Sequence, residues 1–348
     1  MCKDTGGTAG IVPVVKAIRS HGAQVELFAN GKAVEILAGS GEVFVQAQSV
    51  ETLLAMDYPK TLVTSMCSQG GVGRDLILYL RKSTQVVALQ DYWAGYLYDA
   101  WRAPDYRPDY IIVNDGIGAR LVEEAWPGFP SENIRATGFP ALDKYAGYDV
   151  AAEASKVRLQ LGIPPQGRIV LYGGQWQGSG SVLAEIVRAL NELGDNSVYL
   201  IPRAHPAMGN NAPDELPIWQ EAIKCFSGGI LVDGSGFSTQ QLLAASDVIL
   251  SMYSTILVES ATIRKQTISV LYPDAGLSLF RASTGNSMDV PPVVSLGCST
   301  MAAGYEELCS QLKLALKGDL GLTAAQVANF RLDGQNAERS ARFILSLL

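Results

Sequence analysis

The segment from Ser251 to Glu259 combines residue types that bind phosphate and ribose. It directly follows an apolar run at residues 248–250. If a helix begins at Ser254, its free N–H groups and the hydroxyls of Ser254 and Thr255 form an anion site, and the helix dipole adds to it. Glu259 lies four residues after Thr255 on the same helix face, where it could accept hydrogen bonds from ribose hydroxyls. Ordinary helix capping by Ser and Thr is the alternative interpretation.

Two further segments of the second half follow apolar runs and carry candidate ligand groups. Arg203 and His205, with Pro206 stiffening the backbone, could contact a diphosphate, although His205 could equally cap a neighbouring loop. Gly174 lies in a glycine-rich stretch, residues 173–180, that would let a phosphate or sugar approach the backbone. Its spacing matches neither the dinucleotide nor the P-loop pattern, and a tight strand-to-helix turn explains it as well.

A candidate general base, Asp91, ends an apolar run in the first half of the chain. It could deprotonate an acceptor hydroxyl, and the aromatic residues that follow could stack on sugar rings. Those aromatic residues are Tyr92, Trp93, Tyr96, Tyr98 and Trp101. Helix capping by Asp91 and core packing by the rings are the competing interpretations. For Asp115 a capping role is favoured.

These segments need a framework of strands and helices that brings them to one edge. Short β-branched runs alternate with helical patterns along the chain, which predicts α/β domains with parallel strands and ligands at their carboxyl ends. The predicted strands lie at residues 24–28, 61–64, 86–89, 110–113, 168–172, 198–201, 230–232, 248–250 and 267–271. A Tyr/Gly stretch and a Pro/Gly stretch within residues 145–167 predict a linker between domains at 1–150 and 165–330.

Composition excludes several classes of protein. The chain has 348 residues and a formal net charge of −7, which argues against a general grip on nucleic acid. Its five cysteines are scattered and form no CxxC pair, so neither disulfides nor a metal site is expected. Because we find no apolar run of the roughly 18 to 20 residues that span a bilayer, and no secretory pattern at the start, we expect a cytoplasmic protein. Peripheral membrane contact and a homodimer stay open.

Five segments in this order resemble enzymes of the GT-B type, in particular the group of UDP-N-acetylglucosamine 2-epimerases, CDP-glycerol glycerophosphotransferases and related bacterial polysaccharide transferases. They are residues 6–18, residues 134–143, the His205-Pro206 pair, residues 245–248, and Ser254-Thr255 with Glu259. The glycines at residues 6–10 resemble the loop after a first strand, but no strand precedes them. The resemblance implies two doubly wound Rossmann-like domains facing across a cleft. It also implies an acceptor on the first domain, a nucleotide-sugar donor on the second, and a last helix, 337–348, packed on the first.

The resemblance favours a metal-independent glycosyltransferase without a cofactor. It would move a sugar from a nucleotide-activated donor to a hydroxyl of a glycan, lipid-linked or small-molecule acceptor, in bacterial polysaccharide or glycoconjugate biosynthesis. Asp91 and His205 would be catalytic, and Arg203, His205, Gly174, Ser254, Thr255 and Glu259 would bind the donor. Epimerases of this group carry a His-rich, Glu-containing strand end where this chain has residues 88–92, and a doubled glutamate where it has Val258-Glu259-Ser260. An epimerase is therefore the second hypothesis, and a non-catalytic sugar-nucleotide-binding protein is the third.

Overall fold

The computed structural model describes residues 1–55, 60–67, 70–206, 208–272 and 276–348. They form two compact units. Unit 1 comprises Met1–Ala146 with Leu332–Leu348, and unit 2 comprises Gly147–Arg331. Both are α/β structures with parallel strands. None of the helices described has both the length and the apolar composition needed to cross a bilayer.

Unit 1 is built around a parallel sheet in the order β3-β4-β5-β6, and a second parallel pair joins β1 to β2. Its strands are β1 (Phe28–Ala29), β2 (Val45–Gln46), β3 (Thr61–Ser65), β4 (Gln85–Leu89), β5 (Tyr110–Val113) and β6 (Ile134–Ala136). Its helices are α1 (Thr5–Ser20), α2 (Lys32–Ser40), α3 (Val50–Leu54), α4 (Val72–Leu80), α5 (Asp99–Arg102), α6 (Gly116–Ala125) and, at the end of the chain, α17 (Asn336–Leu345).

The first three residues lie where the sequence pattern lacked a strand. Cys2 forms a parallel bridge with Ala29 beside β1, while Met1 N donates to Val63 O and Ser65 N donates to Met1 O beside β3. These residues therefore link the β1–β2 pair to the β3 edge of the larger sheet. The glycines at residues 6–10, which resemble a loop in sequence, lie in the first turns of α1. This helix begins at Thr5 and is capped by Asp4.

Unit 2 contains a six-stranded parallel sheet in the order β12-β11-β10-β7-β8-β9. Its strands are β7 (Arg168–Gly173), β8 (Val198–Arg203), β9 (Ile230–Leu231), β10 (Val248–Ser251), β11 (Gln266–Val270) and β12 (Thr300–Ala302). Its helices are α7 (Val150–Gln160), α8 (Ser179–Leu193), α9 (Met208–Asn211), α10 (Glu215–Lys224), α11 (Thr239–Ala245), α12 (Thr255–Thr262), α13 (Gly276–Ser283), α14 (Pro292–Ser295), α15 (Tyr305–Lys317) and α16 (Thr323–Asn329).

Most of the predicted strands are confirmed. They could be predicted because strands buried in a parallel sheet are apolar throughout. The strand predicted at residues 24–28 is wrong in extent, since β1 comprises only Phe28 and Ala29. The strands β2, β6 and β12 have two or three residues each and carry no pattern long enough to detect.

The last helix belongs to unit 1, where its apolar face packs with α1 in one hydrophobic core that includes Val14, Ile18, Ala341 and Ile344. Asp143 fixes its first turn, because its carboxylate accepts hydrogen bonds from Asn336 N (3.2 Å) and Ala337 N (2.7 Å). An acidic cap of this kind also complements the helix dipole.

Candidate functional site

In unit 2 the candidate groups lie at the carboxyl ends of three neighbouring strands, β10, β7 and β8. Hydrogen bonds join these ends: Gly174 N donates to Arg203 O (2.9 Å), and Ser251 Oγ donates to Gly173 O (2.5 Å). Adjacent strands are about 4.8 Å apart, so the loops that follow them are close neighbours. The fold thus brings the predicted segments to one edge of the sheet.

The helix predicted after β10 is confirmed, with Ser254 as its N-cap. Ser254 Oγ accepts a long hydrogen bond from Ile256 N, at 3.4 Å. Thr255 is exposed, and Glu259 is partly buried one turn further on, whereas Ile256 and Leu257 between them are buried. Thr255 and Glu259 therefore share the open face of α12, as an adjoining phosphate and ribose would require.

The end of β8 and the loop after it carry two candidate phosphate ligands, Arg203 and His205. Arg203 Nη1 donates to Phe237 O at 2.9 Å, so part of its guanidinium already holds the loop before α11. His205 is partly buried, and this burial lowers its pKa from the ordinary value. At neutral pH the imidazole is accordingly uncharged, and it can donate a hydrogen bond to an oxygen without adding a full positive charge.

The glycine loop after β7 is shaped by unit 2's own side chains. A methyl group at Gly174 would lie 2.7 Å from the ring of Trp219, so glycine is needed there for packing. Glu215 accepts hydrogen bonds from Gly178 N (2.6 Å) and Gly180 N (2.9 Å). Its carboxylate thus occupies the start of α8, where a phosphate-binding loop would hold its ligand. Sequence reasoning missed Glu215 because no local signal links it to this loop.

In unit 1, Asp91 lies at the carboxyl end of β4 against the first turn of α1. The position of a Cβ on Gly6 would be 2.2 Å from Asp91 Oδ1, so only glycine leaves room for this carboxylate. Burial, and secondarily the charge of Asp4, raises the pKa of Asp91 to about 7. A carboxyl group with that pKa can exchange a proton near neutral pH, as a general base must.

The surroundings of Asp91 consist of structural polar contacts and packed aromatic rings. Gln90 joins two strand ends, since its Oε1 accepts from Asn114 N at 2.9 Å. The capping role of Asp115 is confirmed, because its carboxylate accepts hydrogen bonds from Gly118 N and the Trp93 indole. The stacking hypothesis is wrong for Trp93, Tyr96 and Trp101, which are all 0% exposed and belong to the core. Tyr92 and Tyr98 are partly exposed.

Asp247, in the GT-B-like segment at residues 245–248, has a structural role. It precedes β10, at the amino edge of the sheet, and its Oδ2 accepts from Ile169 N (2.7 Å) and Arg158 Nη2 (2.6 Å). It therefore lies at the edge opposite to the one that carries Ser254. Asp143, at the end of the segment at residues 134–143, anchors α17 as described above.

The sequence profile of the family "CDP-Glycerol:Poly(glycerophosphate) glycerophosphotransferase" matches residues 77–275, more than half of the chain. The chain belongs to this family, whose profile spans both β4 with Asp91 and α12 with Glu259. No curated protein matches the chain in sequence.

Solved structures of GT-B proteins share the fold over 99% of this chain. UDP-GlcNAc 2-epimerase from Neisseria meningitidis, bound to UDP-GlcNAc, has 12% identity over 98% of its own chain and a TM-score of 0.71. A glycosyltransferase from Rickettsia africae has 10% identity over 97% of its chain and a TM-score of 0.66. The wall teichoic acid polymerase TagF has 12% identity over 87% of its chain and a TM-score of 0.61. The chain thus has the GT-B fold.

Proposed function

We propose that the protein is a transferase that moves a group from a nucleotide-linked donor to an acceptor hydroxyl, with CDP-glycerol as the first candidate donor. The observation that carries the proposal is the open face of α12, where Thr255 and Glu259 lie one turn apart behind the Ser254 cap. Membership of the glycerophosphotransferase family supports the donor class. The acceptor is a polyol phosphate or glycan chain with a free hydroxyl.

Different groups of unit 2 bind the diphosphate and the ribose of the donor. The N–H groups at the start of α12 and the hydroxyls of Ser254 and Thr255 bind the diphosphate, while Glu259 accepts hydrogen bonds from the ribose. His205, in the loop after β8, two strands from β10 in the sheet, donates to the phosphate that leaves. The roles of Arg203 and Gly174 in donor binding stay predictions, since each also has a structural partner.

The transfer step is a displacement at phosphorus. The acceptor oxygen bonds to the phosphorus that carries glycerol, its proton passes to Asp91, and the bond between that phosphorus and the bridging oxygen breaks. CMP leaves with the electron pair of that bond, and the dipole of α12 with the His205 hydrogen bond stabilises the added charge. No metal enters this step, which is tested by activity in the presence of a chelator.

The second candidate is glycosyl transfer, favoured by the GT-B fold shared with a glycosyltransferase. Here the acceptor oxygen attacks the sugar carbon, and a nucleoside diphosphate leaves instead of a monophosphate. Quantifying the released nucleotide therefore separates the candidates: CMP from CDP-glycerol supports the first, and UDP from UDP-N-acetylglucosamine with an acceptor supports the second. Release of neither, from any nucleotide donor that binds, contradicts both and indicates a non-catalytic binding protein.

A UDP-N-acetylglucosamine 2-epimerase would form N-acetylmannosamine without an acceptor, and this reaction separates it from both transferases. The residues after Val258 argue against it, because the chain has one glutamate, Glu259, where the epimerases double it. A thermal-shift screen against CDP, UDP, GDP and TDP, and against the donors that contain them, identifies which nucleobase the protein binds. A ligand at 100 times its dissociation constant adds about 2.7 kcal/mol to stability.

A further inference from the structure

The first turn of α1 brings two carboxyl groups to the same place from distant parts of the chain. Asp4 caps the helix, and its Oδ1 accepts a hydrogen bond from Gly7 N at 2.8 Å. Asp91 arrives from the end of β4, and both its carboxylate oxygens lie within 2.3 Å of where a Cβ on Gly6 would be. The two groups thus contact consecutive residues, Gly6 and Gly7, of one helical turn.

The two carboxyl groups differ in how they are held. The Asp4 carboxylate accepts a hydrogen bond from Gly7 N in the first turn of α1. Within the described residues no group donates a hydrogen bond to the Asp91 carboxylate. A partly buried carboxylate that has no donor among the described residues and lies beside another negative charge binds its proton more tightly than one in water.

The other charged groups at this edge have other partners. Lys3 Nζ donates to Gly70 O at 3.0 Å, and Asp115 is held by the Trp93 indole and Gly118 N. Among the described charged groups, Asp4 is the one whose charge raises the pKa of Asp91, in addition to burial. Among the described residues, no cation is a cause of the shift in the pKa of Asp91.

We propose that Asp4 is a positioning residue for the transfer reaction, a fixed negative charge that makes Asp91 a stronger base toward the acceptor hydroxyl. This inference rests on the proposed role of Asp91 in the transferase. Asp4 touches neither the donor nor the acceptor in this scheme. It acts by opposing the loss of a proton from Asp91, so that Asp91 accepts one from the acceptor near neutral pH.

The first experiment needs no substrate. The full chain is labelled with ¹³C at the aspartate side-chain carboxyl carbons, and the Asp91 resonance is identified as the one missing in Asp91→Asn. Its titration midpoint is expected near 7 and is expected to move to lower pH in Asp4→Asn, which keeps a good helix cap and removes the charge. Asp4→Ser is a second variant with the same purpose, and Asp4→Glu restores the charge and the midpoint.

Asp149→Asn is the matched control, because Asp149 also caps a helix, α7, by accepting from Ala152 N at 2.9 Å, but lies in unit 2. It should leave the Asp91 midpoint unchanged. An Asp91 midpoint that stays the same in both Asp4→Asn and Asp4→Ser overturns the proposal.

The second experiment measures CMP release from CDP-glycerol with a glycerol phosphate acceptor as a function of pH. With a base of pKa about 7, kcat/KM falls about tenfold between pH 8 and pH 6. In Asp4→Asn we expect about a threefold fall or less, which a purely structural cap would not produce. If the NMR midpoint moves but no donor is turned over, the transferase proposal fails and the carboxyl pair stands. A tenfold fall that persists in Asp4→Asn contradicts the inference even in an active enzyme.

Discussion

At the carboxyl edges of the two sheets, the first turns of helices α1 and α12 carry different side-chain groups. In unit 1 the start of α1 holds two carboxyl groups, Asp4 and Asp91, and in unit 2 the start of α12 presents the hydroxyls of Ser254 and Thr255. Carboxyl groups occupy the positive end of a helix and repel further anions, whereas hydroxyl caps leave N–H groups and the dipole available to an external anion. Unit 1 is thus suited to proton exchange and unit 2 to phosphate.

The start of a third helix, α8, shows that the type of cap must be known before a phosphate site is assigned. It also follows a strand and a glycine loop, but Glu215 fills the position of the anion with its own carboxylate. Glycine loops in this fold therefore do not reveal by themselves where a phosphate binds. Among the described residues, Ser254 is the side chain that caps α12, and no carboxylate does so, which favours this helix as the proposed donor site.

The largest effect is expected from removing the proposed proton acceptor of unit 1. Asp91→Asn keeps the shape of the side chain but cannot take the acceptor proton, so we expect kcat to fall by about 10²- to 10⁴-fold with nearly unchanged nucleotide affinity. Steady-state CMP release and calorimetric titration measure the two quantities. Asp105→Asn, which changes an exposed carboxylate, is the control. An active Asp91→Asn enzyme would remove the proposed difference between the two edges.

The next effect tests the donor site of unit 2. Glu259→Gln removes the charge-assisted acceptor for the ribose hydroxyls, so we expect nucleotide binding to weaken by roughly 1.5 to 3 kcal/mol with little change in fold stability. Calorimetric titration with the nucleotide identified by the thermal-shift screen gives the value, and Glu221→Gln on the exposed surface of α10 is the control. Equal affinities would mean that Glu259 serves α12 alone.

The contact between α1 and Asp91 gives a third prediction, on stability. Gly6→Ala places a methyl group against the Asp91 carboxylate, and we expect the free energy of unfolding to fall by about 1 to 3 kcal/mol, with a loss of transfer activity. Gly39→Ala in α2 is the matched control, since nothing lies within 4 Å of its added Cβ. There the substitution should stabilise by up to about 1 kcal/mol, because alanine is the better helix former. Chemical denaturation measures both, and a neutral Gly6→Ala would contradict the close contact.

The last and most specific effect concerns pH. The pKa of Asp91 is raised from its ordinary value of 3.8 to about 7 in the folded chain, so the folded state binds a proton that the unfolded state has released across this range. The contribution of Asp91 to stability is therefore present below about pH 4 and is lost as pH rises to about 7. Relative to the parent chain, Asp91→Asn should be more stable at pH 8 than at pH 4.5, as shown by denaturation at both values. An equal difference at the two pH values would mean that Asp91 is solvated.

Features that depend on local chemistry could be predicted from the amino-acid sequence. Long apolar runs fixed the strands β3, β4, β5, β7, β8, β10 and β11, because a strand covered on both faces must be apolar throughout. The helix start at Ser254 and the cap at Asp115 were equally readable, since a cap bonds to N–H groups two or three residues away. The order of the motifs was sufficient to indicate a GT-B enzyme.

Which distant side chains meet could not be predicted from local patterns and follows from the folded structure. Glu215 lies 37 positions after Gly178, whose N–H it caps. Asp91 contacts Gly6, although four strands, β1 to β4, separate the two residues along the chain. The aromatic segment after Asp91 could have faced a ligand or the core, and burial of Trp93 and Trp101 settled this for the rings concerned. Such outcomes depend on which distant backbone segments fill the space around a side chain, and the residue types alone contain no record of that. The raised pKa of Asp91 has the same origin, because burial and the charge of Asp4 exist only once β4 packs against α1.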